Sequence, residues 1–274
     1  MLKWNTALIE QNHFPDGTLH MEIPLKEALS YPVQMITWKY ENDAELFALN
    51  CLVDNIRQRY PNYAIDLKLF YIPHARMDRQ KSALDVFTLK TFANIINSMG
   101  FRMVHVFDPH SYVSEALHSY VSEALINHID ILTPQDHINA AMRLINDPNL
   151  MLFYPDEGAM KRYSGMIKAP YCFGTKNRDW ATGKIISLNV NGQSQNISGN
   201  NVLIVDDICS RGGTFLHSAK KLKELGANKI YLYVSHCENT ILEGDLLDGD
   251  LIEKMFTTNS IFTKSHEKIE VFEL

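Results

Sequence analysis

This sequence predicts an α/β fold in two domains, each built on a largely parallel sheet flanked by helices. Three observations lead there. Apolar runs of strand length alternate with segments of helical period along the whole chain. One run, Val202-Leu203-Ile204-Val205, is apolar without interruption, the pattern of a parallel strand buried on both faces. Polar loops bearing glycine or charge follow the strands directly, where open α/β sheets bind ligands. At 274 residues the chain can build two moderate cores. No low-complexity linker divides it. The expected boundary lies near 127–133, giving domains 1–130 and 131–274.

Taken in order, 7–9 is a short strand, followed by the turn Phe14-Pro15-Asp16-Gly17-Thr18 with its Pro and Gly. Residues 33–38 read as a strand. From 43 to 59, Leu46, Phe47, Leu49, Val53 and Ile56 fall near helical spacing, with Asp43 the expected N-cap and Pro61 past the end. The strand 67–70 leads into a charged stretch, 71–82, bearing His74, Arg76, Asp78, Arg79 and Lys81. A helix over 87–99 is stopped by Gly100, and a strand over 103–107 ends in Asp108-Pro109-His110. The octapeptide HSYVSEAL then occurs twice without a break, at 110–117 and 118–125. Such a pair is too short to be a solenoid unit. Eight residues add roughly two and a quarter turns of helix, so the copies cannot present one face.

The second half repeats the alternation. Residues 134–145 are helical, and a strand over 150–154 ends in Pro155-Asp156-Glu157-Gly158, from which a helix runs over 158–167. A strand at 171–173 leads into Gly174-Thr175-Lys176-Asn177-Arg178. Residues 184–190 and 193–197 read as a hairpin with a type I′ turn at Asn191-Gly192. Strands at 230–234 and 269–272 and a helix over 241–253 complete the chain.

Composition bounds the function. Net charge is −6, which gives no reason to expect nucleic acid or an anionic membrane. The four cysteines lack metal spacing, so a reduced, cytoplasmic setting is the default. No signal-type segment opens the chain, and no 18-residue apolar run is present.

Asp206 and Asp207 follow the buried strand, and Ser210-Arg211-Gly212-Gly213-Thr214 then opens a helix whose apolar face is Phe215, Leu216, Ala219, Leu222 and Leu225. Carboxylates accept from sugar hydroxyls, while glycine-rich backbone N–H groups and a helix N-terminus hold phosphate. The stretch resembles the sugar-phosphate loop of type I phosphoribosyltransferases and their relatives. His74-Ala75-Arg76-Met77-Asp78-Arg79 resembles the YARQDR motif of the ribose-phosphate diphosphokinases, with His74 and Met77 replacing Tyr and Gln. Phe14 to Thr18 resembles the FSDGE turn of that family, Thr18 replacing Glu. Asp108-Pro109-His110 looks like its D-L-H, and Pro155-Asp156-Glu157-Gly158 like its S-P-D-x-G. Lys176 and Arg178 match the Lys and second Arg of its D-K-R-R segment, with Asn177 between them. In the sugar-phosphate loop, Ser210 and Arg211 stand where the family carries an Asp and a small hydroxyl residue.

The resemblance covers nearly the whole chain. It implies two phosphoribosyltransferase-like domains, and transfer of the β,γ-diphosphate of ATP to the anomeric hydroxyl of a ribose 5-phosphate-type acceptor, with AMP released. It implies ATP binding by Phe14, Asp16, Arg76, Met77 and Asp78, and catalysis by Lys176, Arg178 and His110. Mg²⁺ would be held by His110 and Asp156. Asp206, Asp207, Ser210, Arg211, Gly212, Gly213 and Thr214 would bind the acceptor. A homo-oligomer, dimer or hexamer, is implied as well. Arg211 adds positive charge beside that phosphate, which ribose 5-phosphate does not obviously need and a second 5′-side phosphate would use. ADP-ribose is therefore an expected acceptor as well as, or instead of, ribose 5-phosphate; the alternative is that Arg211 points to solvent or pairs with a nearby carboxylate. A phosphoribosyltransferase and a catalytically silent regulatory subunit are the competing readings. Only His110 follows Asp108-Pro109, so it, not His118, is expected in the site. His110→Ala should therefore raise the KM for Mg-ATP while His118→Ala is nearly silent in steady-state kinetics; the opposite ranking would give the second repeat the role.

Overall fold

The computed structural model describes residues 1–24, 31–77, 80, 82, 84–109, 129–178 and 185–274, with backbone alone for 176–178 and 185–188. The chain forms two compact units, Met1–Leu132 and Thr133–Leu274.

In the first unit, β1 (Leu2–Trp4), β2 (Ala7–Ile9), β5 (Val33–Trp38), β6 (Ala64–Leu69), β7 (Met103–Phe107) and β8 (Ile129–Leu132) make one sheet of order β2-β1-β5-β6-β7-β8. Its β5 to β8 portion is parallel, and β1 is antiparallel to both of its neighbours. A separate antiparallel hairpin, β3 (Gln11–His13) and β4 (Leu19–Met21), carries the Phe14–Thr18 turn at its tip. Helices α1 (Ala44–Arg59) and α2 (Thr88–Ser98) bury Leu49, Leu52, Val53 and Ile56, and Leu89, Phe92 and Ile96, in a core with Ile36, Trp38, Leu67 and Val104. The charge of Glu45, buried in α1, is met by the Trp38 indole N–H at 2.9 Å and the Glu41 N–H at 2.8 Å.

The second unit has β9 (Met151–Tyr154), β10 (Tyr171–Arg178), β11 (Ile185–Gly192), β12 (Val202–Cys209), β13 (Ile230–Cys237), β14 (Lys254–Thr258) and β15 (Ile269–Phe272), in the order β11-β10-β9-β12-β13-β14-β15. All pairings are parallel except β10 with β11. Helices α3 (Gln135–Ile145), α4 (Glu157–Tyr163) and α5 (Gly213–Glu224) complete it. β12 is the central strand. Val202 and Ile204 pack with Phe215, Ala219 and Leu222 of α5, while Leu203 and Val205 pack with Ile138 of α3 and Tyr163 of α4. The uninterrupted apolar run thus serves two cores, one on each face. No helix among the described residues is long and apolar enough to cross a membrane.

The structure corrects three local expectations. Asn191-Gly192 is not a hairpin turn, because β10 runs on to Arg178 and takes β11 as its antiparallel partner. Asn191 and Gly192 lie in that ladder opposite Phe173 and Cys172, and Gly192 brings its backbone close to the Tyr171 carbonyl. Residues 193–197 form no strand; Ser194–Asn196 is a turn of 3₁₀ helix. The expected helix over 241–253 is also absent. Asn239–Glu243 is 3₁₀, and the chain then runs irregularly to β14, with Leu246, Leu247 and Ile252 still buried in the core. A helix there is interrupted at Gly244, whose backbone touches the Arg211 carbonyl. Asp43 does not cap α1: its own backbone is helical, and Asn42 Oδ1 receives the Ala44 N–H at 3.0 Å. The strands β1, β3, β4, β8 and β14 go beyond the sequence reading.

The turn from β12 into α5 is held by contact as well as by dihedral angle. Gly212 sits at φ 79°, and a Cβ there would lie 2.8 Å from Leu246 and 3.0 Å from Ile241. A Cβ on Gly244 would fall 2.0 Å from the Arg211 carbonyl oxygen. Gly212→Ala combines left-handed strain with overpacking and should cost about 2–4 kcal/mol in urea unfolding. Gly213 has open space around it, so Gly213→Ala should leave stability within about 0.5 kcal/mol. Equal effects of the two would contradict this packing.

Candidate functional site

The site is best described at the C-terminal edge of the second sheet. β12 continues through both aspartates to Cys209 before the chain turns. Strand alternation separates their side chains. Asp207 shares the parity of Leu203 and Val205 and points toward α4, where Arg162 Nη1 donates to its Oδ2 at 2.8 Å. Asp206 lies on the α5 side and is half-buried, and its Oδ1 accepts the Asp207 N–H at 3.0 Å. Two consecutive carboxylates thus stand near the C-terminal end of the strand, and Asp207 is paired with an arginine.

Ser210, Arg211 and Gly212 then bend the chain into α5. Ser210 Oγ lies 3.1 Å from Thr240 Oγ1, and Thr240 in turn donates to Glu238 at 3.1 Å. Arg211 Nη2 donates to Glu243 Oε2 at 2.7 Å, with both side chains more than half exposed. Gly212 occupies the N-cap position, and no side chain caps α5. In α-helical geometry the N–H groups of the first turn lack intrahelical acceptors. Gly213, Thr214 and Phe215 supply such donors at the positive end of the helix dipole, a ready seat for an anion. The carboxylates and this N-terminus belong to one continuous strand–loop–helix.

Asp156 stands at the head of α4 with extended backbone, and its Oδ1 accepts the Ala159 N–H at 3.1 Å. Among the described residues no cluster of three or more His, Cys, Asp or Glu could hold a metal ion. A single oxygen donor such as Asp156 still fits Mg²⁺, which takes one or two carboxylates and leaves its remaining positions to water and substrate phosphates. Lys176 and Arg178 lie in β10, where the ladder with β11 shifts register between Asn177 and Arg178.

In the first unit, the hairpin tip is tied by its own hydrogen bonds. Gly17 N–H donates to the Phe14 carbonyl at 2.8 Å, and Asp16 Oδ1 accepts both the Thr18 N–H (3.0 Å) and its hydroxyl (2.7 Å). The Thr18 hydroxyl chiefly holds the Asp16 carboxyl below its ordinary value. The Phe14 ring is 53% exposed and meets the His20 ring edge-on. At the C-terminal edge of the first sheet, His74 adopts left-handed backbone (φ 63°), with Nε2 3.0 Å from Asp43 Oδ1 and its ring 6.0 Å from Phe92. The Tyr40 hydroxyl donates to the same Asp43 oxygen, and burial followed by that bond pushes it up to about 12. Met77 N–H closes the turn onto the His74 carbonyl at 2.8 Å, and Arg76 is exposed. Asp108 is buried with φ 38° and donates its N–H to Leu132. Asp78, Arg79, His110, His118 and the repeat lie outside the described residues.

Among the described residues, His74, Arg76 and Asp108 follow strands of the first sheet and Asp156, Asp206 and Asp207 stand at strand ends of the second, whereas Phe14 and Asp16 lie apart on the hairpin tip. Sequence reasoning missed Arg162, Glu243, Thr240 and the Asp43–His74 contact. Arg162 had a faint signal: it lies three residues after Ala159 and beside Tyr163, both buried, on the inward side of α4.

Similarity to known proteins follows the same lines. A family model described as phosphoribosyl synthetase-associated domain matches residues 185–272. A ribose-phosphate pyrophosphokinase of Saccharolobus solfataricus is 27% identical, over 83% of this chain and 76% of its own. Ribose-phosphate pyrophosphokinase 1 of Listeria innocua is 28% identical, over 95% of this chain and 80% of its own. The chain is a ribose-phosphate diphosphokinase-like transferase. The crystal structure of a phosphoribosylpyrophosphate synthetase from Mycobacterium smegmatis covers 97% of the transferase and 86% of its own chain, with a TM-score of 0.73 at 16% identity. That match establishes a common fold, with phosphoribosyltransferase-like sheets in both units.

Proposed function

We propose that the transferase moves the β,γ-diphosphate of ATP to the anomeric hydroxyl of a ribose 5-phosphate-type acceptor. The anomeric oxygen attacks the β-phosphorus, the bond from that phosphorus to the α-phosphate oxygen breaks, AMP departs, and the hydroxyl proton passes to solvent. One observation supports this above the others: paired carboxylates, a glycine turn and an uncapped helix N-terminus follow in a single strand–loop–helix. Asp206 accepts from the ribose hydroxyls with Asp207 beside it, and the N–H groups of Gly213, Thr214 and Phe215 take the 5-phosphate. Ser210 and Gly212 shape that seat.

Phe14, Asp16, Arg76, Met77 and Asp78 bind ATP in this reading. The exposed Phe14 ring offers a stacking face for the base, and Arg76 a bidentate grip on phosphate. Lys176 and Arg178 meet the charge that builds on the moving diphosphoryl group, since such transfer is mostly positioning and charge neutralisation. Asp156, with His110, would hold Mg²⁺, which supplies charge neutralisation to the polyphosphate. The reading also includes a homo-oligomer and a cytoplasmic setting; all four cysteines are free thiols.

A second acceptor, ADP-ribose, is favoured by Arg211. Its partner Glu243 offsets the extra charge, but an ion pair this exposed is worth only about 0–1 kcal/mol. A second phosphate on the 5′ side can displace Glu243 and take the guanidinium. Product analysis by mass, with ATP and either ribose 5-phosphate or ADP-ribose, tests the reading. AMP and a diphosphorylated acceptor are expected in equal amounts. Neither product would leave the silent subunit, and consumption of a diphosphorylated sugar would mark a phosphoribosyltransferase. Arg211→Thr should lower ADP-ribose use relative to ribose 5-phosphate; an unchanged ratio would remove ADP-ribose from the account.

Lys176→Ala should lower kcat at least about a hundredfold while acceptor affinity, measured by calorimetry, stays near wild type. Wild-type turnover in this variant would take Lys176 out of the mechanism.

A further inference from the structure

Asp207 points from β12 toward α4 and its side chain is only 10% exposed, where a charge needs a partner. Arg162 supplies one from the last turn of α4. Its own side chain is 14% exposed, its guanidinium lies 5.3 Å over the Tyr163 ring, and its Nη1 is 2.8 Å from Asp207 Oδ2. Burial distinguishes this contact from the surface pairs of the unit, such as Lys229–Glu253 and Lys254–Glu270, whose partners are 38–49% exposed. The helix that carries Arg162 is anchored at its other end by Asp156, whose carboxylate caps it. Helix α4 therefore joins the carboxylate proposed for Mg²⁺ to the carboxylate pair proposed for the acceptor, along about 9 Å of helix.

We infer that Arg162 is the positioning residue of the acceptor site: it fixes the Asp207 carboxylate on the α4 side, leaving Asp206 to define where the ribose hydroxyls sit. The inference rests on the acceptor reading above. Arg162 touches no reacting atom in this role; it acts through Asp207. Its loss should consequently fall on acceptor recognition and spare ATP.

The test is a set of four variants, Arg162→Gln, Arg162→Lys, Asp207→Asn and the Arg162→Gln/Asp207→Asn double, assayed for both KM values, kcat and thermal midpoint with ATP and ribose 5-phosphate. Arg162→Gln should raise the acceptor KM at least about tenfold with the ATP KM within about twofold, and Arg162→Lys should recover most of that loss. The double variant should be no worse than the poorer single, because the two residues act as one unit. If Arg162→Gln does not fold, the Lys variant and the charge-neutral double carry the same comparison. An unchanged acceptor KM, an equal rise in both KM values alongside a lowered thermal midpoint, or strictly additive losses would overturn the inference. Calorimetry of the wild type with ribose 5-phosphate separates the two levels. Absence of binding there defeats the acceptor reading itself, whereas wild-type binding retained in Arg162→Gln defeats only the role of Arg162.

Discussion

Burial of β12 on both of its faces is the constraint on which the second unit depends. A strand in that position can carry no polar side chain along its middle, and Val202 to Val205 carries none. Polarity becomes affordable only where the strand leaves the two cores, at its C-terminal end. Asp206 and Asp207 stand there. Their alternation sends one carboxylate to the α4 side and the other to the α5 side, and the flanking helices determine what each one meets.

The turn that follows is shaped by a neighbour distant in sequence. Gly212 and Gly244 let the Ser210–Gly212 bend lie against the segment after β13 at distances that no side chain would allow. This close packing leaves the first N–H groups of α5 at the sheet edge, beside the carboxylates. Rigid backbone holding an uncapped helix end is a preorganised anion site, in which little has to move on binding. The same segment contributes Glu243 and Thr240, so the 3₁₀ turn after β13 tunes the loop before α5.

Much of this was legible in the sequence. The apolar run of β12, the aspartates and the glycine turn announce themselves by local pattern, as do most strands and the helices α1, α2, α3 and α5. What escaped depends on tertiary contact. Asn191-Gly192 is a strong hairpin signal by itself, but the partner strand β10 extended far enough to absorb it. The 241–253 stretch has helical apolar spacing, and the approach of Gly244 to the Arg211 backbone, invisible in one dimension, prevents the helix. Arg162 resembles any helix-surface arginine until Asp207 is seen across from it. Asp43 has the right identity for a cap yet is drawn to His74 and Tyr40. In each case local propensity lost to a contact from elsewhere in the chain.

The central claim is that the end of β12 and the start of α5 form one seat for a ribose phosphate. A crystal structure of the transferase with ribose 5-phosphate bound addresses it most directly. The account predicts the phosphate within hydrogen-bonding distance of the N–H groups of Gly213, Thr214 and Phe215, with ribose hydroxyls at Asp206 and the Arg162–Asp207 pair intact. A sugar phosphate bound elsewhere, or this helix N-terminus left unoccupied at saturating ligand, would contradict it.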